Sequence, residues 1–516
     1  MNLTPTAEQQ AITDAYLTGA HLAVEAGAGA GKTSTLKMLA KATPARRGVY
    51  LAYNKAIATD AARDFPASVI CKTAHAFAYA AVARPYSPRL KAPRVPAWKT
   101  AQILGIQSIR LSAERAPLGP QQLARIVMAA VEHFCHTADE QISRHHVRPY
   151  AGLDPAENAA LARLLEPWLH KAWADITSVR GELRFTHDCY LKMWQLTRPQ
   201  LGADFVLFDE AQDANPAVAD IVEGQQAQRI LVGDRNQSIY GWRGATDAMS
   251  TFTGRRLYLS QSFRFGPAIA SEANKWLTVL DAQLRLTGFD RIPSTLAPLP
   301  APDAFLCRSN AGAFNRALDS ITAGRRTALV GGGGDIKRMA EAAAKLQAGQ
   351  PCDHPELLAF STWAQVQDYA ENDAAGSDLK VFVALVDKLG PDEIVRVCDR
   401  LVDERVAQTI VSTAHKAKGR EWDTVRIATD FHEPKADPVT GEQPGIARED
   451  AMLAYVAVTR AKKVLDREGL AWVDDWLEPA PAAPPARQPY RSFLSDPAVR
   501  EQWPEPEPIG ANGIRS

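Results

Sequence analysis

Short runs of consecutive, rather than alternating, apolar residues punctuate the chain. They fall at His21–Glu25, Gly48–Ala52, Ser68–Cys71, Phe205–Phe208, Arg229–Val232, Arg256–Leu259, Ala304–Leu306, Thr327–Val330, Thr409–Ser412, Thr424–Ala428 and Lys463–Leu465, each ending in a small or polar loop. Continuous apolar character predicts parallel strands covered on both faces. Several runs lead into helical patterns such as Thr33–Ala42 and Ala56–Asp64, the βα alternation of an α/β fold. Two stretches break this rhythm. Residues 81–195 lack clear strands and read as helices with proline breaks, and residues 335–405 (IKRMAEAAAKLQ, then DLKVFVALVDKL) also read as helical. Each lies between strand-rich segments, which predicts helical insertions into an α/β core. From about 477 the chain is proline-rich (EPAPAAPPARQP, PEPEP) and reads as a disordered or polyproline-II tail.

With 516 residues the chain exceeds one hydrophobic core, so about three or four domains are expected. No run has the eighteen or so uninterrupted apolar residues of a membrane span, and the N-terminus lacks a signal-peptide pattern. The expectation is a soluble, cytoplasmic protein with no membrane partner. Six scattered cysteines without a C-x-x-C pair fit buried thiols in a reducing compartment. Formal net charge is zero, so a polyanion would have to be held by local basic patches. Residues 81–150 offer one candidate, with ten Lys or Arg against Glu114, Glu132, Asp139 and Glu140; a solvated basic face reads equally well from charge alone.

The segment AVEAGAGAGKTSTL starts on a strand and enters a helix. Ala26, Gly27, Ala28, Gly29, Ala30, Gly31, Lys32 and Thr33 have the spacing of a phosphate loop, with Ala at the first position. Small residues let backbone N–H groups wrap phosphates, Lys32 meets the β/γ oxygens, and Thr33 offers a hydroxyl to Mg²⁺. FVLFDEAQD places Asp209 and Glu210 at a strand's C-terminal end, where α/β ligands bind. Asp209 would hold Mg²⁺ through water, and Glu210 would orient and deprotonate an attacking water. Arg264 and Arg460 are candidate contacts to the transferred phosphate of ATP; their distance along the chain from Lys32 implies a second domain. GDRNQSIYGWRGA, following the strand at 229–232, crowds amides, rings and guanidinium groups beyond what a turn needs.

These segments, in order, resemble a superfamily 1 DNA helicase of the UvrD/Rep type. The matching stretches are TAEQQAI, the phosphate loop, LAYNKAIA (51–58), KTAHAF (72–77), LFDEAQD (207–213), GDRNQSIYGWRGA, LSQSFR (259–264), LCRSN (306–310), STAHKAKGREWDTV (412–425) and AYVAVTRAKK (454–463). The resemblance implies two RecA-like P-loop cores with parallel sheets, each interrupted by a helical insertion. On that scheme 1–80 and 196–254 form the first core, 81–195 its basic insertion, 255–334 and 406–476 the second core, and 335–405 a short second insertion. It also implies ATP and Mg²⁺ as cofactors. Gln9 would read the adenine edge, Phe263 would stack on the base, Glu421 would meet the ribose side or the coupling network, Gln237 would sense the γ-phosphate, and Arg264 and Arg460 would contact it. Asn54, Lys55, Thr73, His75, Tyr240, Trp242, Arg243, Thr413, His415 and Lys416 match positions lining a single-strand path. The implied activity is 3′→5′ movement on single-stranded DNA with unwinding of tailed or forked duplex, in repair or recombination and with a partner protein from those processes.

Departures from the pattern narrow the expectation. Ala74 stands where an aromatic is frequent, so one stacking platform is either missing or supplied by Phe77; Ser34 replaces a frequent arginine beside the nucleotide; Ala451-Met452 replaces an Arg-Arg pair. With AHKAKGREWDTV these lean toward the F-box-helicase-like branch, although no room remains in the 516 residues for an F-box domain. Two other readings stay open: a motor that strips proteins from DNA with little unwinding, and a nucleotide-gated interaction protein of a phage, plasmid or defence system. His133, Cys135, His136, His145 and His146 cluster, but without regular ligand spacing they read as helix packing or DNA-path residues rather than a metal site. Trp98, Trp168, Trp173 and Trp194 read as insertion core, and GGGGD at 331–335 as a hinge.

Overall fold

The structure, a computed structural model, describes residues 4–92, 95–112, 117–150, 153–239, 247–354, 356–357, 360–372, 377–436 and 444–477. Residues 471–477, with the helix Val473–Leu477, belong to a unit separate from residues 1–470. The expected proline-rich tail lies outside the described residues.

Two six-stranded sheets organise residues 1–470, and every strand pair in them is parallel. The first contains β1 (Leu22–Ala26), β2 (Gly48–Leu51), β3 (Val69–Lys72), β4 (Phe205–Asp209), β5 (Gln228–Gly233) and β6 (Arg255–Leu259), in the order β3-β2-β4-β5-β1-β6. The second contains β7 (Thr295–Leu296), β8 (Ala304–Cys307), β9 (Thr327–Leu329), β10 (Thr409–Thr413), β11 (Trp422–Ile427) and β12 (Ala461–Asp466), in the order β7-β12-β11-β8-β10-β9. Side chains alternate between faces along a strand, so a strand buried on both sides must be apolar throughout. Leu22 and Val24 enter one hydrophobic cluster with Tyr50, Leu207 and Leu36, whereas Ala23 joins Val49, Val206 and Leu231 in another.

Each of the eleven apolar runs forms a strand, and the pairing is parallel as expected. The twelfth, Thr295–Leu296, has two exposed residues and no apolar run to announce it. One boundary differs. Arg255–Leu259 pairs with β1 from Leu22↔Arg255 to Ala26↔Leu259, so the first sheet continues past the expected break at 254/255. The physical reason is that β1 carries the phosphate loop and is covered on both edges, by β5 and by β6.

Both helical stretches have their own cores. In the first, helices Pro120–His136, Pro155–Thr177 and His187–Gln195 bury Leu123, Val127, Phe134, Leu161, Leu165 and Leu169. The long helix starts where Asp154 accepts from the Glu157 amide and Glu157 returns a bond to the Asp154 amide, satisfying otherwise unpaired donors. Trp168, Trp173 and Trp194 pack on this core as expected; Trp98 does not, with more than half its surface exposed. In the second stretch, helices Gly334–Gln347, Trp363–Asn372, Ser377–Leu389 and Pro391–Arg400 pack around Ala343, Leu346, Val366 and Ile394. Among the described residues no helix is long and apolar enough to cross a membrane, and all six cysteines are free thiols.

Leu165 has no exposed surface at the centre of the first helical core. Leu165→Ala should cost about 2–5 kcal/mol of stability, read as a lower urea midpoint.

Candidate nucleotide and nucleic-acid site

Strand order assembles the site. In the run β4-β5-β1-β6, neighbouring C-terminal ends carry Asp209-Glu210, Asp234 to Gln237, the phosphate loop, and Ser262 to Arg264. Gly29 and Gly31 take left-handed backbone conformations with φ +73° and +76°. At Gly29 the constraint is also steric: a Cβ would lie 2.6 Å from Arg264 Cβ and 2.7 Å from Ser262 Oγ. The missing side chain lets the segment after β6 lie directly on the loop, with the Phe263 amide donating to the Gly29 carbonyl at 2.9 Å. Lys32 then opens the helix Lys32–Ala42.

Lys32 Nζ reaches Glu210 Oε1 at 2.7 Å and Oε2 at 2.8 Å. Thr33 Oγ1 lies 3.4 Å from Asp209 Oδ2, which also accepts from the Tyr50 hydroxyl at 2.7 Å. Glu210 occupies the left-handed region at φ 52°, an unusual conformation for a residue with a side chain, which turns its carboxylate to Lys32. Burial alone would raise the Glu210 carboxyl, but the Lys32 ammonium, then the Lys418 charge and the Gln212 amide, hold it down to about 2. Asp209 is pushed up, first by burial and then by the neighbouring Glu210 charge. The two adjacent acids are therefore held at different proton affinities.

The second core closes over this edge. Tyr455, in the helix Arg448–Val458, donates to Asp234 Oδ2 at 3.0 Å, while its oxygen accepts from the Ala28 amide of the phosphate loop at 3.2 Å. Gln237 Nε2 donates to the same Asp234 oxygen at 2.6 Å, and Gln237 Oε1 accepts from Arg460 at 3.2 Å. Arg460 is fully buried; burial, then the nearby Arg264 charge, push its pKa down to about 9, still cationic at neutral pH. Arg264 pairs with Glu421 at 2.6 Å and donates to the Thr459 carbonyl at 3.2 Å. Lys418 Nζ donates to Asp213 Oδ1 at 2.7 Å and to the Gln237 carbonyl at 2.5 Å. Thus Lys32, Glu210, Gln237, Arg264 and Arg460 come together from both cores. Tyr50, Asp213, Lys418 and Tyr455 were not singled out from sequence, which marks Asp234 only as setting the turn between the nucleotide and strand sites. The repeated acid in DEAQD was the available signal for Asp213.

On the base side, Gln9 and the Phe263 ring flank Gly31, 3.6 and 3.7 Å from where its Cβ would be. The Gln9 amide is occupied within the chain, accepting from the Thr6 amide and donating to Thr35 Oγ1 at 3.2 Å. Phe263 is 40% exposed, leaving a face for stacking, whereas Ser34 is exposed on the first helical turn. Glu421 reaches the site through Arg264.

Asn54, Thr73 and Thr413 each stand just past or at the C-terminal end of a parallel strand and cap the helix that follows. The sequence Thr-Ala-His occurs in both cores, at 73–75 and 413–415, and both threonines accept from an amide three residues on, at 3.1 and 3.3 Å. Lys55 and Lys416 are exposed beside them, and His415 is half-buried. His75 Nε2 sits 3.4 Å from Asp188, which also meets His136 at 3.5 Å. A cavity of about 690 Å³ joins Tyr53, Thr73, His75, His136 and Asp188 to Glu210. Phe77 is not an open platform: its ring lies parallel to Trp194, 6.2 Å away. Tyr240, Trp242 and Arg243 lie outside the described residues. Arg235, without a role from sequence, bonds Asp247 at 2.5 Å and so joins the two ends of that segment.

The residues fit Mg²⁺ and a nucleotide triphosphate. Thr33 and Asp209 form an oxygen-only donor pair, the set that Mg²⁺ prefers. The glycine-bearing loop opens an eleven-residue helix, whose N-terminus favours anions.

The Lys32–Glu210 pair has a definite pH signature. The folded Glu210 pKa is below its ordinary value, so the pair stabilises fully above about 4.5 and loses its contribution as pH falls toward about 2. The stability lead of the wild type over Glu210→Gln should hold between pH 7 and about 5 and shrink below about 4.5, measured by urea unfolding at stepped pH.

The family described as UvrD/REP helicase N-terminal domain matches residues 193–253, and the UvrD-like helicase C-terminal domain matches residues 365–466. Across 89% of its length the chain is 31% identical to F-box DNA helicase protein 1 of Schizosaccharomyces pombe, over 507 aligned residues and 57% of that protein. It is 30% identical to F-box DNA helicase 1 of Gallus gallus, again over 89% of the chain but 48% of that relative. A shorter match, 35% over 88 residues, links it to DNA helicase II of Haemophilus influenzae, covering 16% of the chain and 12% of that protein. The chain spans about half the length of the two F-box relatives. The matched segments contain the DEAQD, GDRNQ, STAHKAKGRE and YVAVTRA residues that build the site, and the chain belongs to the UvrD/Rep-type helicase family.

Proposed function

We propose that this chain is a DNA-dependent ATPase that moves along single-stranded DNA and unwinds tailed or forked duplex. The observation that carries this reading is the contiguous chain of contacts from the phosphate loop to the second core: Ala28 to Tyr455, Tyr455 to Asp234, Asp234 to Gln237, Gln237 to Arg460. A nucleotide site used only for binding has no need of a buried arginine and tyrosine from another core. The names of the relatives, DNA helicases all, support a DNA substrate.

Mg²⁺, held by Thr33 and by Asp209 through water, would neutralise developing charge on the phosphates. Lys32 would exchange Glu210 for phosphate oxygens. That exchange removes the larger of the two ammonium influences that depress Glu210, so its carboxylate gains basicity toward a proton from water. Gln237 would report the presence of the γ-phosphate, and Arg460 and Arg264 would meet it from the second core. On the DNA side, Asn54, Lys55, Thr73, His75, Thr413, His415 and Lys416 would hold the strand, with Tyr240, Trp242 and Arg243 as base and phosphate contacts. Residues 1–80 and 196–259 act as one motor core and 260–334 with 406–470 as the other, carrying insertions at 81–195 and 335–405. Direction is 3′→5′, and repair or recombination in the cytoplasm is the setting, with a protein of that process as partner.

ATP hydrolysis with and without single-stranded DNA, paired with unwinding of 3′-tailed and 5′-tailed duplexes, tests the reading. DNA should stimulate hydrolysis, and only 3′-tailed substrate should open. Lys32→Ala should lower stimulated turnover by on the order of 10²–10³-fold or more. Normal turnover in that variant removes the assignment. Stimulation without strand separation turns the reading to a protein-stripping motor, and absence of stimulation to a nucleotide-gated interaction protein.

A further inference from the structure

In the first helical insertion, the loop after the helix Pro120–His136 brings Asp139 to two histidines that sequence already placed side by side, His145 and His146. His145 Nε2 lies 2.8 Å and His146 Nε2 3.0 Å from the same carboxylate oxygen of Asp139, Oδ2. The two imidazoles lie side by side, ring centroids 3.9 Å apart and tilted by 36°. We propose that Asp139, His145 and His146 form a binding site for one first-row divalent transition-metal ion, with Zn²⁺ the best fit.

Three features favour a metal over a simple hydrogen-bonded cluster. The first is convergence: a carboxylate offers two oxygens to two histidines, yet both Nε2 atoms point at one. Zn–N and Zn–O bonds of roughly 2.0–2.2 Å require neighbouring ligand atoms about 3.3–3.5 Å apart in a tetrahedral site. The two nitrogens lie 2.8 and 3.0 Å from the shared oxygen, so each needs to open by about half an ångström, and all three ligand atoms lie within 4.8 Å of one another.

The second is orientation of the rings from behind. His145 Nδ1 meets Ser143 Oγ at 2.6 Å, and His146 Nδ1 faces the Ser143 carbonyl at 3.0 Å and its amide at 3.1 Å. With Nδ1–H donated to the carbonyl, the His146 Nε2 lone pair is aimed at the shared point, the arrangement that fixes metal-binding imidazoles. His146 has no exposed surface, so its ring is held in that orientation by the surrounding core.

The third is a rigid loop. Lys192, fully buried over the Phe134 ring, donates to the Thr137 carbonyl at 3.0 Å and to the Asp139 carbonyl, and Gln195 donates to the Ala138 carbonyl at 3.3 Å. Asp139 and His145 are 45% and 61% exposed, so water can reach the site as a fourth ligand. Two imidazoles and one carboxylate suit Zn²⁺ or its transition-metal neighbours; Mg²⁺ and Ca²⁺ prefer oxygen donors throughout. Bound metal would replace two hydrogen bonds by coordinate bonds and clamp residues 137–146 to the insertion.

The test uses the full chain without nucleotide, titrated with Zn²⁺ against a chromogenic chelator. Wild type should bind one Zn²⁺ that Asp139→Asn and His145→Ala each weaken by about 100-fold or more. His145 is mostly exposed and Asp139 nearly half exposed, so both variants should keep the wild-type circular dichroism spectrum. An Asp209→Asn control separates metal at the nucleotide edge and should leave this Zn²⁺ in place. Cobalt substitution gives an independent reading in the wild type alone: nitrogen–oxygen coordination shows visible bands without thiolate charge transfer. Zn²⁺ binding that survives both loop variants, no Zn²⁺ binding by the wild type, or a thiolate band from cobalt each overturns the proposal.

Discussion

Asp234 is a carboxylate without exposed surface, and its burial is tolerable only because donors from both cores meet it. Gln237 supplies one from its own core and Tyr455 supplies the other from across the cleft. Tyr455 in turn receives the Ala28 amide, so one hydroxyl ties the phosphate loop, the acid and the second core together. Separating the cores would leave Asp234 short of a donor and Arg460 short of Gln237, and would strip the half-buried Lys418 ammonium of Asp213. Burial raises the Asp213 carboxyl and lowers the Lys418 ammonium, so each keeps its charge chiefly through the other. The interface is thus a set of polar groups whose satisfaction depends on closure, which is the property a two-state element requires.

At the phosphate loop the same logic is local. Lys32 is held by Glu210, an acid from the adjoining strand system, and that pairing keeps both charges satisfied while suppressing the basicity of the acid. An incoming phosphate competes for the lysine rather than for an empty space. Binding and activation of the acid therefore become one event in the proposed mechanism.

The strands were legible because a parallel strand covered on both faces must be apolar at every position; Val49, Tyr50 and Leu51 illustrate it. The phosphate loop and DEAQD were legible because each is local. The end of the first core was misplaced because β6 carries exposed arginines 255 and 256 and belongs to the sheet only through pairing with β1. Tyr455 and Lys418 escaped notice because their partners lie 221 and 205 residues away, and nothing in the chain near them registers that contact. The histidines at 145 and 146 were visible as a cluster, but Asp139 joins them only through the fold of one short loop. Sequence offers periodicity and motif; it does not offer the crossing of two cores.

The most direct test of this account is the affinity for a fluorescent single strand, measured by anisotropy with and without a non-hydrolysable ATP analogue, in wild type and in Tyr455→Phe. Removing one hydroxyl there severs the link between Ala28 and Asp234 while keeping the ring. The analogue should shift strand affinity by about 5- to 150-fold in the wild type, and most of this shift should disappear in the variant. An equal shift in both proteins would contradict it.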